Sequence, residues 1–412
     1  MHKLGGAAFV LLGQAMQSLT SLLTGMALGR WAGQNDLGVF ALGFSFCFLA
    51  ISLSDTLVAT PYTYFKSQTK DTNPSLRLAG LAGVTLIGAG VSLALTIAVL
   101  AGVESVQSLH LALPIAIMAL VIREFIRRHL YVAGKLAEVF FFDVVSSLIQ
   151  LGLVLILVVL GTLSAPHAFI CMALACALPT ALWIWSERHS AWQLDWRTGK
   201  HWLINFFAYG RWLVVGGACH VASLQLYPWL ALLGGGPAQT GVLAACTGLT
   251  NLMNPLLVGL TNYLRPHFMQ RYSTHGHKTF PTYVLRRALL FAIPALGFLV
   301  IVGLSGNYLL ALIYGESYRS GATTVSLMAI GVVAIALSAP LQLALLAARE
   351  PVTNFIYHGT ALALLLVLAI VFSNHLSLET LGAFYGGVNL AALGMLGLLF
   401  YKRFFVAVRS GD

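Results

Sequence analysis

Long apolar stretches alternate with short polar segments along the 412-residue chain. Each stretch holds about 20 mostly apolar residues, the length that an α-helix needs to cross the hydrocarbon core of a bilayer. The pattern predicts an all-α integral membrane protein with about twelve transmembrane helices. The predicted spans lie near residues 5–28, 37–61, 77–101, 109–126, 139–161, 166–185, 209–233, 240–263, 287–313, 321–347, 353–373 and 380–401.

The basic residues indicate how these spans are oriented. If the N-terminus is inside, only Arg30 and Arg319 fall in outside segments, which leaves 21 of the 23 Lys and Arg residues on the cytoplasmic side. Lys and Arg are typical of cytoplasmic loops. The sequence therefore predicts that both chain ends are cytoplasmic, since an even number of spans returns the chain to the side where it starts.

Composition agrees with a lipid environment and excludes several classes of function. The chain is 58% hydrophobic and only 9% charged, whereas a soluble domain has roughly 25% charged residues. The net charge of +10 is explained by membrane orientation, so no nucleic-acid partner is expected. The five cysteines lie in apolar stretches without metal-site spacing, and HExxH, P-loop and GxSxG motifs are missing. We therefore expect no metal, no cofactor and no enzymatic activity.

A short segment near the start recurs in the second half of the chain. Gly33, Gly38 and Ala41 recur as Gly236, Gly241 and Ala244, each 203 residues later, in the turn between the first two helices of each half. A weaker repeat pairs residues 133–135 with 347–349. The repeats predict two pseudo-symmetric six-helix lobes, residues 1–200 and 201–412, in the same orientation. Such duplicated transporters bind substrate at the interface between the halves.

Polar side chains form a stripe on one helix of each half, with steps of three and four residues that place them on one helical face. One interpretation is hydrogen bonding between packed helices, and the other is the lining of a water-filled cavity. Two equivalent stripes favour a cavity. The first stripe contains Gln14, Gln17, Ser21 and Thr24, and the second contains Thr247, Asn251, Asn254 and Thr261.

Two ionisable residues inside predicted spans are further candidates. Asp55 is the only carboxylate that the sequence places well inside a span, and such groups are by default functional candidates. A local ion pair, or a position near the headgroups, would explain Asp55 equally. His220 is a weaker candidate, because a single histidine is often satisfied by a neighbouring hydroxyl or carbonyl group.

Several arginines are candidates for binding an anionic headgroup or pyrophosphate, because guanidinium groups bind phosphates in bidentate fashion. The alternative is that these residues only anchor the inner ends of the helices. Arg30 lies at an outer end, so topology does not explain it. The other candidates are Arg123, Arg127, Arg128, Arg211 and Arg265.

Several segments resemble the Wzx-type polysaccharide and O-antigen flippases. These proteins form a branch of the multidrug/oligosaccharidyl-lipid/polysaccharide exporter superfamily. The resemblance covers essentially the whole chain. The segments are Gly13-Gln14, Leu28-Gly29-Arg30-Trp31-Ala32-Gly33, residues 37–41, Arg123-Glu124-Phe125-Ile126-Arg127-Arg128, Asp143 with Gln150, and Gly210-Arg211-Trp212.

The resemblance implies two six-helix lobes around a cavity that is generally cationic. It implies transfer of a polyprenyl-diphosphate-linked oligosaccharide across the bacterial cytoplasmic (inner) membrane by alternating access. Lipid-linked oligosaccharide and membrane lipids are the expected partners, and other polysaccharide assembly proteins are candidates. A multidrug antiporter of the same superfamily is the nearest alternative. A membrane-embedded polysaccharide polymerase or ligase is a more distant one, because it would normally have a large outside loop.

Overall fold

The computed structural model describes residues 2–68, 74–100, 104–187, 196–350 and 352–406, and all regular elements in these ranges are helical. Short π-helical turns are formed by Leu28–Ala32, Asp55–Ala59 and Lys402–Val406, and short 3-10 turns by Glu104–Leu109, Asn251–Met253 and Glu316–Gly321. The α-helices are α1 His2–Ala27, α2 Gln34–Ser54, α3 Thr60–Gln68, α4 Pro74–Leu100, α5 Ala112–Val132, α6 Leu136–Val159, α7 Ala165–Ser186, α8 Trp196–Thr250, α9 Asn254–Tyr314, α10 Ala322–Ala347, α11 Val352–Val371 and α12 Leu378–Tyr401.

Within the described ranges, nine helical segments are long and apolar enough to cross a membrane. Helix α5 is not among them, because Arg123, Glu124, Arg127 and Arg128 fill its second half. One of the nine, Leu213–Thr274, has 62 residues, and a straight helix of that length would extend about 90 Å, three times the thickness of the hydrocarbon core. The sequence pattern divides this segment into two spans, and twelve spans remain a prediction.

The chain divides into two compact units, Met1–Val221 and Ala222–Asp412, with the boundary inside α8. In the first unit, α1 packs on α6, and α5 packs on α4 and α7. In the second unit, α10 packs on α9 and α12. The membrane-spanning part of α10 is 67% buried, against 17% for α11, so α10 is a central helix of its unit.

The glycines of the sequence repeat have the same backbone conformation. Gly33 ends the π-helical turn after α1 with φ +96°, and Gly236 interrupts α8 with φ +76°. Side chains rarely adopt this left-handed region, and glycine adopts it at little cost. Glycine recurs 203 residues later because both turns require it, and the duplication stays a prediction.

The two segments of the second repeat end in the same type of helix C-terminal turn, one residue out of the predicted register. The same turn also ends α6 at Gly161, so it does not test the duplication. Gly134 has φ +73° and Arg349 has φ +62°. The amide of Lys135 donates to the carbonyl of Leu130 (3.0 Å), and that of Glu350 donates to Leu345 (3.0 Å). Gly134 therefore corresponds to Arg349 and not to Ala348. Sequence alignment on small residues was wrong here, because backbone conformation and not residue size defines the equivalent position.

Helix α8 begins at Trp196, well before the predicted span at 209–233. Its first turns pack on α3, where Phe65 contacts the rings of Trp202 (5.6 Å) and Phe206 (6.2 Å), and Tyr64 stacks on Tyr209 (4.9 Å). These contacts lie within the first unit. The beginning of α8 is therefore part of that unit's core.

Gly210 provides a test of this packing. A Cβ atom there would lie 2.6 Å from the carbonyl oxygen of Thr56 and 2.7 Å from Cα of Leu57, both backbone atoms. We expect Gly210→Ala to destabilise the protein by about 1–3 kcal/mol, measured as a lower midpoint of thermal unfolding in detergent. Gly216→Ala is the matched control, because a Cβ there meets nothing within 4 Å and alanine favours a helix. An unchanged or raised midpoint for Gly210→Ala would contradict the close approach.

Candidate functional site

A buried carboxylate on α6 is the centre of the ionic network in the first unit. Asp143 has no exposed surface. The Arg127 Nε atom lies 2.8 Å from Asp143 Oδ1, and Arg127 Nη2 donates to Oδ2 at 3.1 Å. Arg123 Nη2 donates to Oδ1 at 3.4 Å. Two guanidinium groups therefore compensate one carboxylate that water does not reach.

Glu124 completes this network on the α5 side. Arg127 Nη1 donates to Glu124 Oε2 (2.7 Å), and Arg123 Nη1 donates to Glu124 Oε1 (3.1 Å). Two arginines thus face two carboxylates, with a formal sum of zero. The sequence offered Arg123 and Arg127 as candidates for binding an anion. In the structure both are engaged by carboxylates of their own chain.

The polar stripe of α1 meets this network from the other side. Gln17 Nε2 donates to Asp143 Oδ1 at 2.6 Å, and a Cβ on Gly13 would lie 2.9 Å from Asp143 Oδ2. Two turns further along, Gln150 Nε2 donates to Thr24 Oγ1 at 3.0 Å. The alternative of hydrogen bonding between packed helices therefore describes Gln17 and Thr24, whereas Gln14 is exposed.

Asp143 lies inside α6, so the expectation that Asp55 is the only carboxylate inside a span was wrong. A signal for it was present in the sequence. Gln17 and Thr24 are seven residues apart, and so are Asp143 and Gln150. Seven residues are about two helical turns, so each pair lies on one helical face. Matching spacings on two helices indicate two pairs of facing polar groups.

Asp55 forms the local ion pair that was one of its two interpretations. It begins the π-helical turn after α2 and pairs with Arg128 of α5. Both side chains are 43% exposed, and Thr60 Oγ1 donates to Asp55 Oδ2 at 3.4 Å. This pair differs from the Asp143 network because both of its side chains are partly exposed.

A third polar cluster joins α3, α4, α5 and α7, and the sequence analysis did not find it. Tyr62 Oη and His129 Nδ1 are 2.6 Å apart. Arg77 Nη1 donates to Glu187 Oε2 (2.7 Å) and lies over the ring of Trp183, 5.7 Å from its centre. Its residues come from four helices, so no local sequence pattern links them.

The remaining candidates are exposed. In the first unit, Arg30 lies 6.0 Å from the ring centre of Trp31, and Arg211 and His220 are exposed. In the second unit, Asn254 Nδ2 donates to Asn251 Oδ1 at 3.2 Å, where a 3-10 turn joins α8 to α9. Both asparagines are exposed, as is Arg265.

The chain has the fold of transporters of the MOP superfamily. A multidrug resistance MATE family transporter in an inward-facing conformation matches with a TM-score of 0.79 and 15% identity, over 96% of each chain. The lipid II flippase MurJ, in an inward closed conformation, matches with a TM-score of 0.72 and 10% identity, over 98% of this chain and 93% of that one.

A MOP superfamily transporter from Pyrococcus furiosus also matches, with a TM-score of 0.66 and 14% identity, over 96% of this chain and 94% of that one. No protein-family model matches the sequence, and no curated protein matches it. At these identities the likeness is one of fold. The chain is a multi-pass integral membrane protein, and its substrate has to be inferred from its own residues.

The Asp143 network predicts a large effect of one charge. Asp143→Asn removes the carboxylate charge and leaves Arg127 partly uncompensated in a buried site. Breaking a buried ion pair costs about 3–5 kcal/mol, so we expect a strong fall in thermal midpoint and in folded yield. The control is Glu138→Gln on the same helix, whose carboxylate is 54% exposed beside Lys135 and contributes at most about 1 kcal/mol. Equal midpoints for the two variants would show that the network is not stabilising.

Proposed function

We propose that this protein is a flippase that moves a polyprenyl-diphosphate-linked oligosaccharide across the bacterial cytoplasmic membrane by alternating access. The transported units would serve the synthesis of a cell-surface polysaccharide such as O-antigen or exopolysaccharide. The proposal keeps twelve spans, cytoplasmic chain ends and two lobes of residues 1–200 and 201–412. It is supported by the fold, by the resemblance to Wzx-type flippases and by the pairing of the first unit's described carboxylates with other groups of the protein.

The carboxylates are the observation that carries the proposal. Six of them have described side chains in the first unit, and each has a partner within the protein. Glu124, Asp143 and Glu187 face arginine, and Glu138 faces Lys135. Asp55 pairs with Arg128, and Asp36 Oδ1 accepts from the backbone amide of Ala165 (2.7 Å). An organic cation would need a carboxylate that is open to it. In the first unit, this arrangement favours an anionic or neutral substrate over the cation of a multidrug antiporter. In the second unit, Glu379 is exposed in the first turn of α12.

The exposed candidates have the chemistry that such a substrate needs. Asn251 and Asn254 offer amide donors and acceptors for sugar hydroxyls, as does Gln14. Arg30, Arg211 and Arg265 offer guanidinium groups for the diphosphate. We assign Arg123, Arg127 and Gln17 a supporting role, because their polar atoms already bond to Asp143 or Glu124. His220 completes the set of candidate substrate contacts in α8.

Deletion of the gene in its host tests the proposal directly. We expect loss of the surface polysaccharide, with intact lipid-linked units accumulating on the cytoplasmic leaflet. The measurements are surface polymer by gel and lipid-linked oligosaccharide by mass spectrometry, with leaflet location from accessibility to a membrane-impermeant lectin. Complementation with the wild-type gene is the control, and complementation with Asn251→Ala/Asn254→Ala should restore transport only in part.

Two other outcomes would assign a different function. Units accumulating on the outer leaflet would place the defect after transport and favour a polymerase or ligase. Unchanged polysaccharide and unchanged lipid-linked pools, in a host without a second copy, would contradict the proposal. Susceptibility to organic cations in the deletion strain would then test the antiporter alternative.

Charge reversal separates the two roles that Asp55 can have. If Asp55 serves only as the partner of Arg128, each of Asp55→Arg and Arg128→Asp should impair polysaccharide export, and the reversed pair should restore most of it. If Asp55 instead binds a coupling ion, the reversed pair should stay as inactive as Asp55→Arg. The readout is surface polysaccharide at matched membrane expression, since a half-exposed ion pair contributes little to stability.

A further inference from the structure

Helix α9 folds back on itself between its two apolar arms. The ring centres of Phe268 and Phe280 are 6.0 Å apart, and those of Tyr272 and Phe280 are 5.1 Å apart. In a straight helix, residues twelve apart would be separated by about 18 Å along the axis. The chain therefore reverses direction between Tyr272 and Phe280.

The reversal brings two arginines to one aromatic ring. Arg271, from the first arm, has its Cζ atom 5.6 Å from the ring centre of Tyr283. Arg287, from the second arm, has its Cζ atom 5.4 Å from the same ring centre. Both guanidinium groups therefore lie beside the same tyrosine ring, although they would be far apart in a straight helix. The ring stabilises both cations and fixes their positions.

The surroundings of this arginine pair are strongly positive. From residue 196 to residue 315 the sequence has no Asp or Glu. In the described part of the second unit, Glu316 pairs with Arg319 (2.5 Å), and Glu350 lies 3.5 Å from Arg403. The neighbouring Phe404 packs on Phe280 (5.5 Å), so the Glu350 pair belongs to the same region. Among the residues of this region that the structure describes, Arg271, Arg287 and Arg403 therefore outnumber the one carboxylate, Glu350.

The sequence predicts that the pair lies near the depth of lipid phosphates. Arg287 directly precedes the apolar run that begins at Ala288, so we expect its Cα at the edge of the hydrocarbon core. Headgroups occupy roughly the next 5–8 Å. Below Arg287, Leu289 is 56% exposed and Ile293 is 67% exposed, which leaves an apolar surface for an acyl chain. Basic residues at this depth on the cytoplasmic side are suited to anionic lipid headgroups.

We propose that Arg271 and Arg287, held around Tyr283, bind the phosphodiester group of an anionic glycerophospholipid in the leaflet that faces the α9 reversal. The predicted topology makes this the inner leaflet. The site is separate from the candidate substrate contacts Asn251, Asn254 and Arg265. It does not depend on what the protein transports.

Lipid binding to the full-length purified protein tests the proposal. After delipidation in detergent, the protein is titrated with phosphatidylglycerol or phosphatidylcholine, and bound lipid is counted by native mass spectrometry. We expect at least one phosphatidylglycerol to bind about tenfold more tightly than phosphatidylcholine, since a charge-assisted hydrogen bond corresponds to about that factor. Arg271→Ala/Arg287→Ala should remove this preference.

Arg286→Ala is the matched control. Arg286 is exposed on the same helix, has the same charge and makes no contact with Tyr283 among the described residues, so its loss should leave the preference intact. If the double variant is not monodisperse, the single variant Arg287→Gln should weaken phosphatidylglycerol binding about tenfold.

Three results would overturn the site. Equal loss in Arg286→Ala would show a diffuse charge effect. Equal binding of phosphatidylcholine would show that the phosphate charge is not recognised. Displacement of phosphatidylglycerol by pyrophosphate, beyond that caused by sodium chloride of equal ionic strength, would assign the arginines to a soluble phosphate compound.

Discussion

The first unit depends on the compensation of one buried charge, the carboxylate of Asp143. Because water does not reach it, its partners have to come from the protein, and they come from α1 and α5. Gln17 supplies an amide, and Arg127 supplies a guanidinium that also bonds to Glu124. Removing any one of these groups leaves another polar group uncompensated in a medium of low dielectric constant. Three helices are thereby held in one relative position by electrostatics rather than by apolar packing alone.

The two units share their turns but differ in their electrostatics. The left-handed glycines Gly33 and Gly236 have equivalent positions, and so do Gly134 and Arg349. The described polar residues of the first unit, however, form internal ionic networks, whereas α9, which lies in the second unit, has basic residues and no acidic ones. The two units therefore have different charge distributions.

Local features could be predicted from the sequence, and pairings between distant residues could not. The apolar stretches indicated membrane helices because length and hydropathy are local properties, and the glycine repeat indicated a shared turn because few residues tolerate that conformation. The bond between Gln17 and Asp143 joins residues 126 apart, so it depends on which helices are neighbours. Hydropathy does not indicate which helices are neighbours. The early start of α8 was missed for a related reason, since its first turns are stabilised by Phe65 and Tyr64 of another helix.

The charges of α5 also bear on how the chain enters the bilayer during its synthesis. Four charged residues make α5 a poor substrate for insertion by itself, because each charge near the centre of a helix opposes insertion by about 2.5–3.5 kcal/mol. Arg127 and Asp143 are only 16 residues apart, so they leave the ribosome almost together. Helices α5 and α6 can then partition into lipid as a hairpin in which Glu124 and Asp143 neutralise Arg123 and Arg127. Arg128 pairs with Asp55 outside this hairpin, and α1, made much earlier, has to remain near Asp143. The short sequence separation of Arg127 and Asp143 therefore favours the joint insertion of α5 and α6.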